Sequence, residues 1–363
     1  MGDLAPGPRV GHPDRTMLLR GRLALLGLVV VLVVGGCAAD APQDSLDPAG
    51  PFAEKIDNLF MPVFWVGVAV FVLVEGIIVY FVVRYRRRGD DDDEMPVQFH
   101  GSTKLEIGWT ILPALVLGLI AVFTIPVVFQ LNAKPANALE VSVTGQKYWW
   151  GYTYPTQTNF GIEDEGGIVT ANELHIPAGQ PVYLTLTSPD VIHSFWTPRL
   201  NGKQDVVPGR EHTWSLQAYE PGVYSGQCAE FCGTSHANMR LKVVAHDQAG
   251  WDQWVEQMQR PPVEPLTGLA AQGFELFSQK GCAACHRVEG AFETVAPESP
   301  SAPDLTHLFS RDCFAGCIYD LDDRSELEAW LRDPQRKAGS LMVIGALTED
   351  EIDALYSYLE TLE

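Results

Sequence analysis

Four side chains that can bind a soft metal ion fall within twelve residues of this 363-residue chain. They are Cys228, Cys232, His236 and Met239, and His193 lies upstream. Thiolate, imidazole and thioether donors together favour copper over magnesium or calcium. A mononuclear blue copper site needs one cysteine, so the second cysteine indicates a dinuclear centre bridged by both sulfurs. The alternative is a Cys228–Cys232 disulfide beside an ordinary histidine and a core methionine.

A second redox motif, Cys282-Ala-Ala-Cys285-His286, lies nearer the end of the chain. C-x-x-C-H is the attachment signal for c-type heme, in which both cysteines form thioethers and the histidine binds the iron. A bare C-x-x-C can also be a thioredoxin-like redox pair. That reading needs a β-α-β setting, which the surrounding sequence does not provide.

Two predicted helices frame the second motif. Residues 271–277 predict a short helix before it, and Thr348-Glu-Asp-Glu351 is a capping box that opens another helix. The apolar face of that last helix consists of Ile352, Leu355, Tyr358 and Leu359. This frame resembles a small class I cytochrome c. The resemblance implies a methionine as sixth iron ligand, and Met342 is the only methionine between the motif and the last helix. The family usually has proline next, where Val343 stands here, so a buried core methionine stays open as the alternative.

The cysteine-rich segment closely resembles the CuA loop of subunit II of heme–copper oxidases. The family pattern is a distant histidine followed by C-x-E-x-C-x-x-x-H-x-x-M, and every position is filled here. The resemblance implies that Cys228 and Cys232 bridge the two coppers and that His193 and His236 cap them. It also implies that Met239 is a weak ligand and that Glu230 contributes its backbone carbonyl. It also implies that the carboxylate of Glu230, a hard ligand, reaches a Mg²⁺ shared with subunit I.

Two further segments resemble functional parts of that family. Asp205-Val-Val-Pro-Gly-Arg210 matches its D-x-x-P-G-R segment, which lies at the subunit I interface; an exposed β-turn is the alternative. The aromatic run around Tyr148 and Trp149 resembles the segment that receives electrons above the copper centre, although a run of this kind is most often core packing. The family has tryptophan where Tyr148 stands, so either residue is a candidate for that role.

Two apolar runs, Phe60 to Val83 and Ile107 to Leu131, are each long enough to span a hydrocarbon core, which needs about 20 residues. The loop between them carries the basic run from Arg84 to Arg88, which places it in the cytoplasm and both termini outside. The second run begins with a stretch that resembles the subunit II pattern E-x-x-W-T-I-L-P. By that resemblance Glu106 lies at the cytoplasmic mouth of a proton pathway; otherwise it is a solvated residue at a helix start.

The first residues predict an export signal. A basic start, an apolar run and a small-residue cleavage site precede Cys37, as in a bacterial lipobox, so Cys37 is expected to be lipidated; an ordinary signal peptide is the alternative. The chain after it is rich in Ala, Asp and Pro and predicts a flexible tether. Because export implies an oxidising compartment, Cys313 and Cys317 are expected to form a disulfide rather than remain two thiols.

The pattern of the region from Leu139 to about Ala245 predicts short strands separated by Gly and Pro turns, an antiparallel sandwich or barrel. Its length fits a cupredoxin-like Greek key in which an earlier loop supplies His193. We therefore predict a multidomain membrane protein with a two-helix transmembrane hairpin, an all-β cupredoxin-like domain and a small all-α class I cytochrome c domain. The boundaries are signal peptide 1–36, tether 37–58, hairpin 59–133, copper domain 134–258, linker 259–266 and cytochrome domain 267–363.

The charge balance restricts the possible partners. The net charge is −21, and the residues from Glu264 onward contribute 19 acidic and 7 basic side chains, which excludes nucleic-acid binding. The proline-rich linker would keep the acidic cytochrome domain near the copper domain at an effective concentration of about millimolar.

Together these resemblances imply an electron-transfer subunit of a bacterial respiratory oxidase of the caa type. The implied cofactors are dinuclear copper, heme c and Mg²⁺. The implied partners are subunits I and III and a donor such as a cytochrome bc complex or a cytochrome c. The soluble domains would lie outside the cell membrane. A nitric oxide reductase subunit with the same copper centre is the main alternative. An exported copper-binding protein is a further alternative, but it would need neither the heme motif nor two spans.

Overall fold

The computed structural model describes residues 41–86, 98, 101–265, 267–293 and 302–363, with six isolated positions between 24 and 31. The predicted lipidation site Cys37 and nearly all of the predicted signal peptide lie outside the described residues, as does most of the basic loop after Arg86.

Two long helices come first. Helix α1 comprises Pro51–Arg84 and helix α2 comprises Thr103–Asn132. Each is long and apolar enough to cross a membrane, and its apolar side chains are exposed along most of its length. Such a surface is stable only in a lipid or protein environment. Both predicted spans therefore lie inside helices that are longer than the spans themselves.

The first helix begins earlier than the sequence predicted, within the segment 37–58 that was assigned to a flexible tether. Phe52 and Ala53 in its first turn are buried. Ala49 donates its N–H to the carbonyl of Arg199 at 2.7 Å and accepts from the N–H of Tyr219 at 2.9 Å. The residues from Ala49 to Ala53 are therefore packed on the following domain. Burial of their apolar side chains is favourable and stabilises this contact.

Residues 139–258, named the β domain here, contain ten strands in two five-stranded sheets. The strands are β1 Leu139–Gln146, β2 Trp149–Tyr154, β3 Ile168–Ala171, β4 Glu173–Pro177, β5 Val182–Thr187, β6 His193–Trp196, β7 Gln204–Val206, β8 His212–Leu216, β9 Gly222–Cys228 and β10 Arg240–His246. One sheet has the order β3-β2-β1-β5-β8 and the other the order β4-β10-β9-β6-β7. The predicted sandwich is confirmed, but its strands are not all antiparallel, since β1 pairs with β5 and β4 with β10 in parallel.

Alternating side chains from both sheets form the core of the β domain. Strand β5 alternates buried and half-buried residues along its whole length, as expected for a strand with one face in a core. Helix α3, Gln248–Met258, covers the edge of this core with Trp251 and Trp254, which lie against Tyr154. This helix was not predicted separately, although it lies within the boundaries given for the domain.

Residues 267–363, named the helical domain here, contain helix α4 (Gly268–Gln279), helix α5 (Arg324–Arg332) and helix α6 (Glu349–Leu359), with a two-stranded ribbon, β11 Cys313–Phe314 and β12 Tyr319–Asp320. Helices α4 and α6 cross closely at Gly273, where a side chain would meet the carbonyl oxygen of Ala354. The capping box at Thr348 and Glu351 is present, and the four apolar residues predicted for one face of α6 are buried. Helix α5 was not predicted, because its mean hydropathy is low.

Candidate functional site

The sulfur-rich segment folds into one compact cluster at the end of the β domain. Strand β9 ends at Cys228, and the loop that follows returns to strand β10 directly after Met239. Cys232 Sγ lies 3.9 Å from Cys228 Sγ and 3.8 Å from Met239 Sδ, and 3.7 Å from the Nδ1 of His236. Cys228 Sγ lies 3.2 Å from the carbonyl oxygen of Glu230. The fold thus brings together all five of the donors that the sequence placed in residues 228–239.

His193 joins this cluster from a different strand. Its Nδ1 lies 3.9 Å from Cys228 Sγ, and the side chain is fully buried. The prediction that a loop supplies His193 is wrong, because it is the first residue of strand β6, which pairs with β9 through Phe195 and Cys228. Strand pairing, rather than loop closure, therefore fixes this sequence-distant side chain beside the cysteines.

Asp190 orients His193 and was missed by the sequence analysis. Its Oδ1 lies 2.8 Å from the Nε2 of His193, and its Oδ2 accepts the N–H of Lys147 at 2.8 Å. With Nε2–H donated to Asp190, Nδ1 keeps its lone pair and faces the sulfurs. Burial alone would raise the pKa of Asp190, but hydrogen bonds from Lys147, His193 and Val191 outweigh it and lower that pKa. An aspartate three residues before a candidate ligand was the available sequence signal.

The two cysteines behave as one coupled unit. The Cys232 thiol is the main cause that lowers the pKa of Cys228 to about 4, and His193 contributes further. The pKa of Cys232 is raised, because a proton held between the two sulfurs stays on Cys232. Thiolates rather than thiols bind metals, so the cluster already presents one anionic sulfur at neutral pH.

The donor set fits two copper ions. Bonds of about 2.0–2.3 Å at tetrahedral angles place two donors of one ion roughly 3.3–3.8 Å apart, close to the separations in this cluster. Each cysteine sulfur has one imidazole nitrogen beside it, His193 Nδ1 for Cys228 and His236 Nδ1 for Cys232. The methionine sulfur and the Glu230 carbonyl supply the weaker donors that soft copper sites use.

We expect Asp190→Ala to lower the affinity for copper by about 10- to 100-fold, the usual cost of removing a group that orients a metal-binding histidine. The measurement is a chelator competition titration on the full chain, with the visible copper spectrum as readout. Asp164→Ala is the matched control, since it removes an exposed carboxylate from the same domain. Equal affinities for the two variants would contradict a positioning role for Asp190.

The second candidate site is a cavity of about 320 Å³ in the helical domain. Cys282, Cys285, His286 and Met342 all line it, although the motif and the methionine are more than fifty residues apart. The remaining walls are largely apolar, with Phe277, Leu308, Phe314, Leu327, Trp330 and Leu355 among them. An apolar pocket with two cysteines, a histidine and a methionine fits a covalently attached heme.

His286 is oriented for iron binding. Its Nδ1–H donates to the carbonyl oxygen of Pro303 at 2.8 Å, which leaves Nε2 as the nitrogen with a lone pair. Burial lowers its pKa, so the neutral imidazole is favoured. Met342 is held through its backbone, because Gln335 Nε2 donates to its carbonyl oxygen at 2.9 Å.

Arg311 is a second residue that the sequence analysis missed. It lines the same cavity and is buried. Its guanidinium donates to Thr170 Oγ1 at 3.1 Å and to the carbonyl oxygen of Asp304 at 2.7 Å. A buried cation in this wall suits the carboxylates of a heme, since buried charges need a partner of opposite sign. No motif surrounds it, so sequence gave no signal.

The predicted electron-receiving residues face this cavity as well. Tyr148 and Trp149 line it together with the heme motif, and they are 8% and 7% exposed. Tyr148 also packs in the β-domain core with Cys232 and Met239. The aromatic segment therefore lies between the two candidate sites.

Three of the other predicted residues, Glu106, Asp205 and Arg210, lie outside both sites. Glu106 is exposed in the first turn of α2. Asp205 is exposed in strand β7, and Arg210 is exposed in the turn that follows, with its N–H bonded to the Val207 carbonyl. Cys313 and Cys317 form a disulfide.

Comparison with known proteins identifies the family. Three family models match: the periplasmic domain of cytochrome c oxidase subunit II over residues 139–246, its transmembrane domain over 42–127, and cytochrome c over 270–363. Cytochrome c oxidase subunit 2 of Alkalihalophilus pseudofirmus is 37% identical over 344 residues, 92% of this chain and 95% of the relative. The chain belongs to the cytochrome c oxidase subunit II family.

A second relative agrees with this assignment. Cytochrome c oxidase subunit 2 of Bacillus subtilis is 33% identical, over 96% of this chain and 99% of the relative. The solved periplasmic domain of subunit II from Bradyrhizobium japonicum is 28% identical, with a TM-score of 0.31, over 34% of this chain and 96% of that one.

The family assignment confirms several expectations. The chain is a subunit of an oxidoreductase complex of the heme–copper type, has an electron-transfer role and associates with subunit I. It is a membrane protein with its soluble domains on the outer side. Family membership implies CuA copper and the cytochrome c domain implies heme c.

Proposed function

We propose that this subunit carries electrons from its helical domain to its β domain and then to subunit I, where O₂ is reduced to water and protons are translocated. The observation that supports this path is the shared cavity, which residues of the C-x-x-C-H motif and of the aromatic segment line together. Because aromatic side chains of the β domain line the cavity that would hold the donor, electrons can pass between the two domains without diffusion of a separate protein.

The β domain would hold the copper pair through the residues described above. The two ions would be held by the thiolates of Cys228 and Cys232, by the imidazoles of His193 and His236, and by the weaker donors, the Met239 sulfur and the Glu230 carbonyl. When bound, this centre supplies a one-electron carrier that stores the charge over two metals. The chain's own contribution is rigidity: Cys228 donates its N–H to the Met239 carbonyl at 2.8 Å, which closes the ligand loop without metal.

The helical domain would hold the heme covalently through Cys282 and Cys285, and His286 and Met342 would bind its iron. Its largely apolar walls would pack against the heme, and a Met/His pair raises the reduction potential of heme iron. Tyr148 and Trp149 would receive the electrons on the β-domain side.

The remaining roles follow the family resemblance. Glu106 would stand at the mouth of the proton pathway, and Asp205 and Arg210 would contact subunit I. The Mg²⁺ expected at Glu230 stays a prediction, since the partner subunit would supply its other ligands. The donor, a cytochrome bc complex or a cytochrome c, would reach the helical domain.

Flash reduction of the purified oxidase tests the path. We expect oxidation of the heme domain and reduction of the copper centre to proceed with one shared rate, unchanged by tenfold dilution, because the step is intramolecular. Absorbance at the bands of each site is the measurement. In the control variant Cys228→Ser, the heme domain should stay reduced. Copper reduction that precedes any change at the heme would exclude the proposed order.

A further inference from the structure

A buried lysine joins the two soluble domains. Lys337 belongs to the helical domain and is 4% exposed. Its Nζ donates to the carbonyl oxygen of Tyr148 at 2.9 Å and to that of Ala315 at 2.8 Å. Lysines are almost never fully buried unless they are paired. A lysine placed between these two carbonyls therefore connects the helical domain to the aromatic segment of the β domain.

The disulfide loop, residues 313–317, lies against the same region of the β domain. The side-chain Oε1 of Glu173 accepts the N–H of Asp312 at 3.0 Å and that of Cys313 at 2.9 Å. At the tip of the loop, the carbonyl oxygen of Gly316 accepts the N–H of Arg240 at 3.0 Å. Arg240 directly follows the copper-ligand candidate Met239, so the loop touches the end of the ligand segment.

The loop tip is packed too tightly for a side chain. Gly316 has a φ of 78°, and a Cβ there would lie 2.5 Å from the carbonyl oxygen of Asn238 and 2.9 Å from that of Tyr148. Real Cβ contacts of that length do not occur, so the two domains approach as closely as their backbones permit. Such contact needs glycine, because only glycine adopts this backbone conformation at no steric cost.

We propose that Lys337 and the disulfide loop form a clasp that keeps the helical domain docked on the β domain, with the heme cavity against Tyr148 and Trp149. This inference rests on the proposed electron path and adds to it that docking is permanent rather than a step repeated at each turnover. Lys337 is then a positioning residue: it fixes the distance between the two sites and takes no part in electron transfer itself.

Cleavage of the linker tests whether the helical domain is held by the clasp or only by its covalent linker. A protease site placed between Pro262 and Glu264 of the full chain allows the covalent link to be cut in the assembled oxidase. We expect the helical fragment to remain with the immobilised membrane part through repeated washes. The fragment is followed by its protein band, so the result does not depend on heme attachment. Immediate release of the wild-type fragment would overturn the clasp.

Two variants weaken the clasp selectively. Lys337→Met keeps the length of the side chain but leaves two carbonyls unpaired, and should raise the dissociation constant of the cleaved fragment about 10- to 100-fold. Gly316→Ala should raise the dissociation constant of the cleaved fragment at least as much as Lys337→Met does. Lys280→Met removes a half-buried ion pair with Glu351 inside the helical domain and is the control for the lysine. Gly290→Ala has the same left-handed backbone but open space around it, and is the control for the glycine.

The pH dependence of fragment retention distinguishes a specific contribution of the Lys337 amine from a general packing effect. Burial lowers its pKa to about 7, and an electrostatic interaction with Cys232 offsets part of that shift. The docked state therefore binds fewer protons than the separated state between pH 7 and the ordinary lysine range. Retention of the fragment should strengthen as pH rises through this window, by at most about tenfold per pH unit. Lys337→Met should show no such slope.

The outcomes also distinguish the clasp from the electron path. If the path is correct, intact Lys337→Met should transfer electrons between the sites more slowly, while the copper and heme content stays that of the wild type. If transfer is absent even in the wild type while the fragment is retained, the proposed path fails and the clasp stands. If both clasp variants retain the cleaved fragment as the wild type does, the clasp is wrong.

Discussion

Cys228→Ser is expected to abolish the mixed-valence copper spectrum and to reduce the metal content below two coppers per chain. A serine hydroxyl does not ionise at neutral pH, whereas the thiol it replaces has a pKa lowered to about 4 by its neighbour Cys232. Without a second bridging sulfur, two copper ions cannot share one charge. The measurements are metal analysis and electron paramagnetic resonance of the purified oxidase.

Met239→Leu is the matched comparison for that experiment. The methionine sulfur lies 3.8 Å from Cys232 Sγ and is a weak donor, so its loss should shift the spectrum and leave two coppers bound. A wild-type protein with one copper, or with none and a Cys228–Cys232 disulfide, would contradict the dinuclear site.

Met342→Ala is expected to remove the weak sulfur-to-iron absorption band of the oxidised heme and to lower its reduction potential. The methionine lines the same cavity as the C-x-x-C-H motif, and a Met/His pair favours the reduced iron. Spectroscopy of the oxidised protein and a redox titration measure the two effects.

Leu341→Ala provides the control for this substitution, because the neighbouring leucine is 69% exposed and carries no donor atom. The band should persist in that variant. If the band also persists in Met342→Ala, the sixth ligand is another residue, and the absence of the usual proline at Val343 would then mark a real departure from the family.

The sequence predicted the side chains that carry strong local signals. The two metal motifs are short, so their residue types and spacing marked the candidate donors in residues 228–239 and 282–286, and the family resemblance added their roles. The membrane spans followed from long apolar runs. The capping box at Thr348 was equally local. These features need no knowledge of the tertiary fold, and the structure places all of them where the sequence led us to look.

The sequence could not predict the groups whose role depends on distant contacts. Lys337 and Tyr148 are 189 residues apart, and Glu173 meets the disulfide loop across 139 residues or more. Asp190 lies near His193 in sequence, but its hydrogen bond from the N–H of Lys147 forms only when strand β1 has folded against it. The early start of α1 was hidden for the same reason, since Phe52 and Ala53 are buried by residues that come much later.

The position of Tyr148 and Trp149 also bears on how the subunit can fail. Because both side chains are less than a tenth exposed and line a cavity of their own chain, a soluble donor has little of that segment to touch. A polypeptide whose heme was never attached therefore cannot be rescued by a passing reductant. We expect such a molecule to pass no electrons to the copper centre, so that the activity of the whole oxidase depends on heme attachment to this chain.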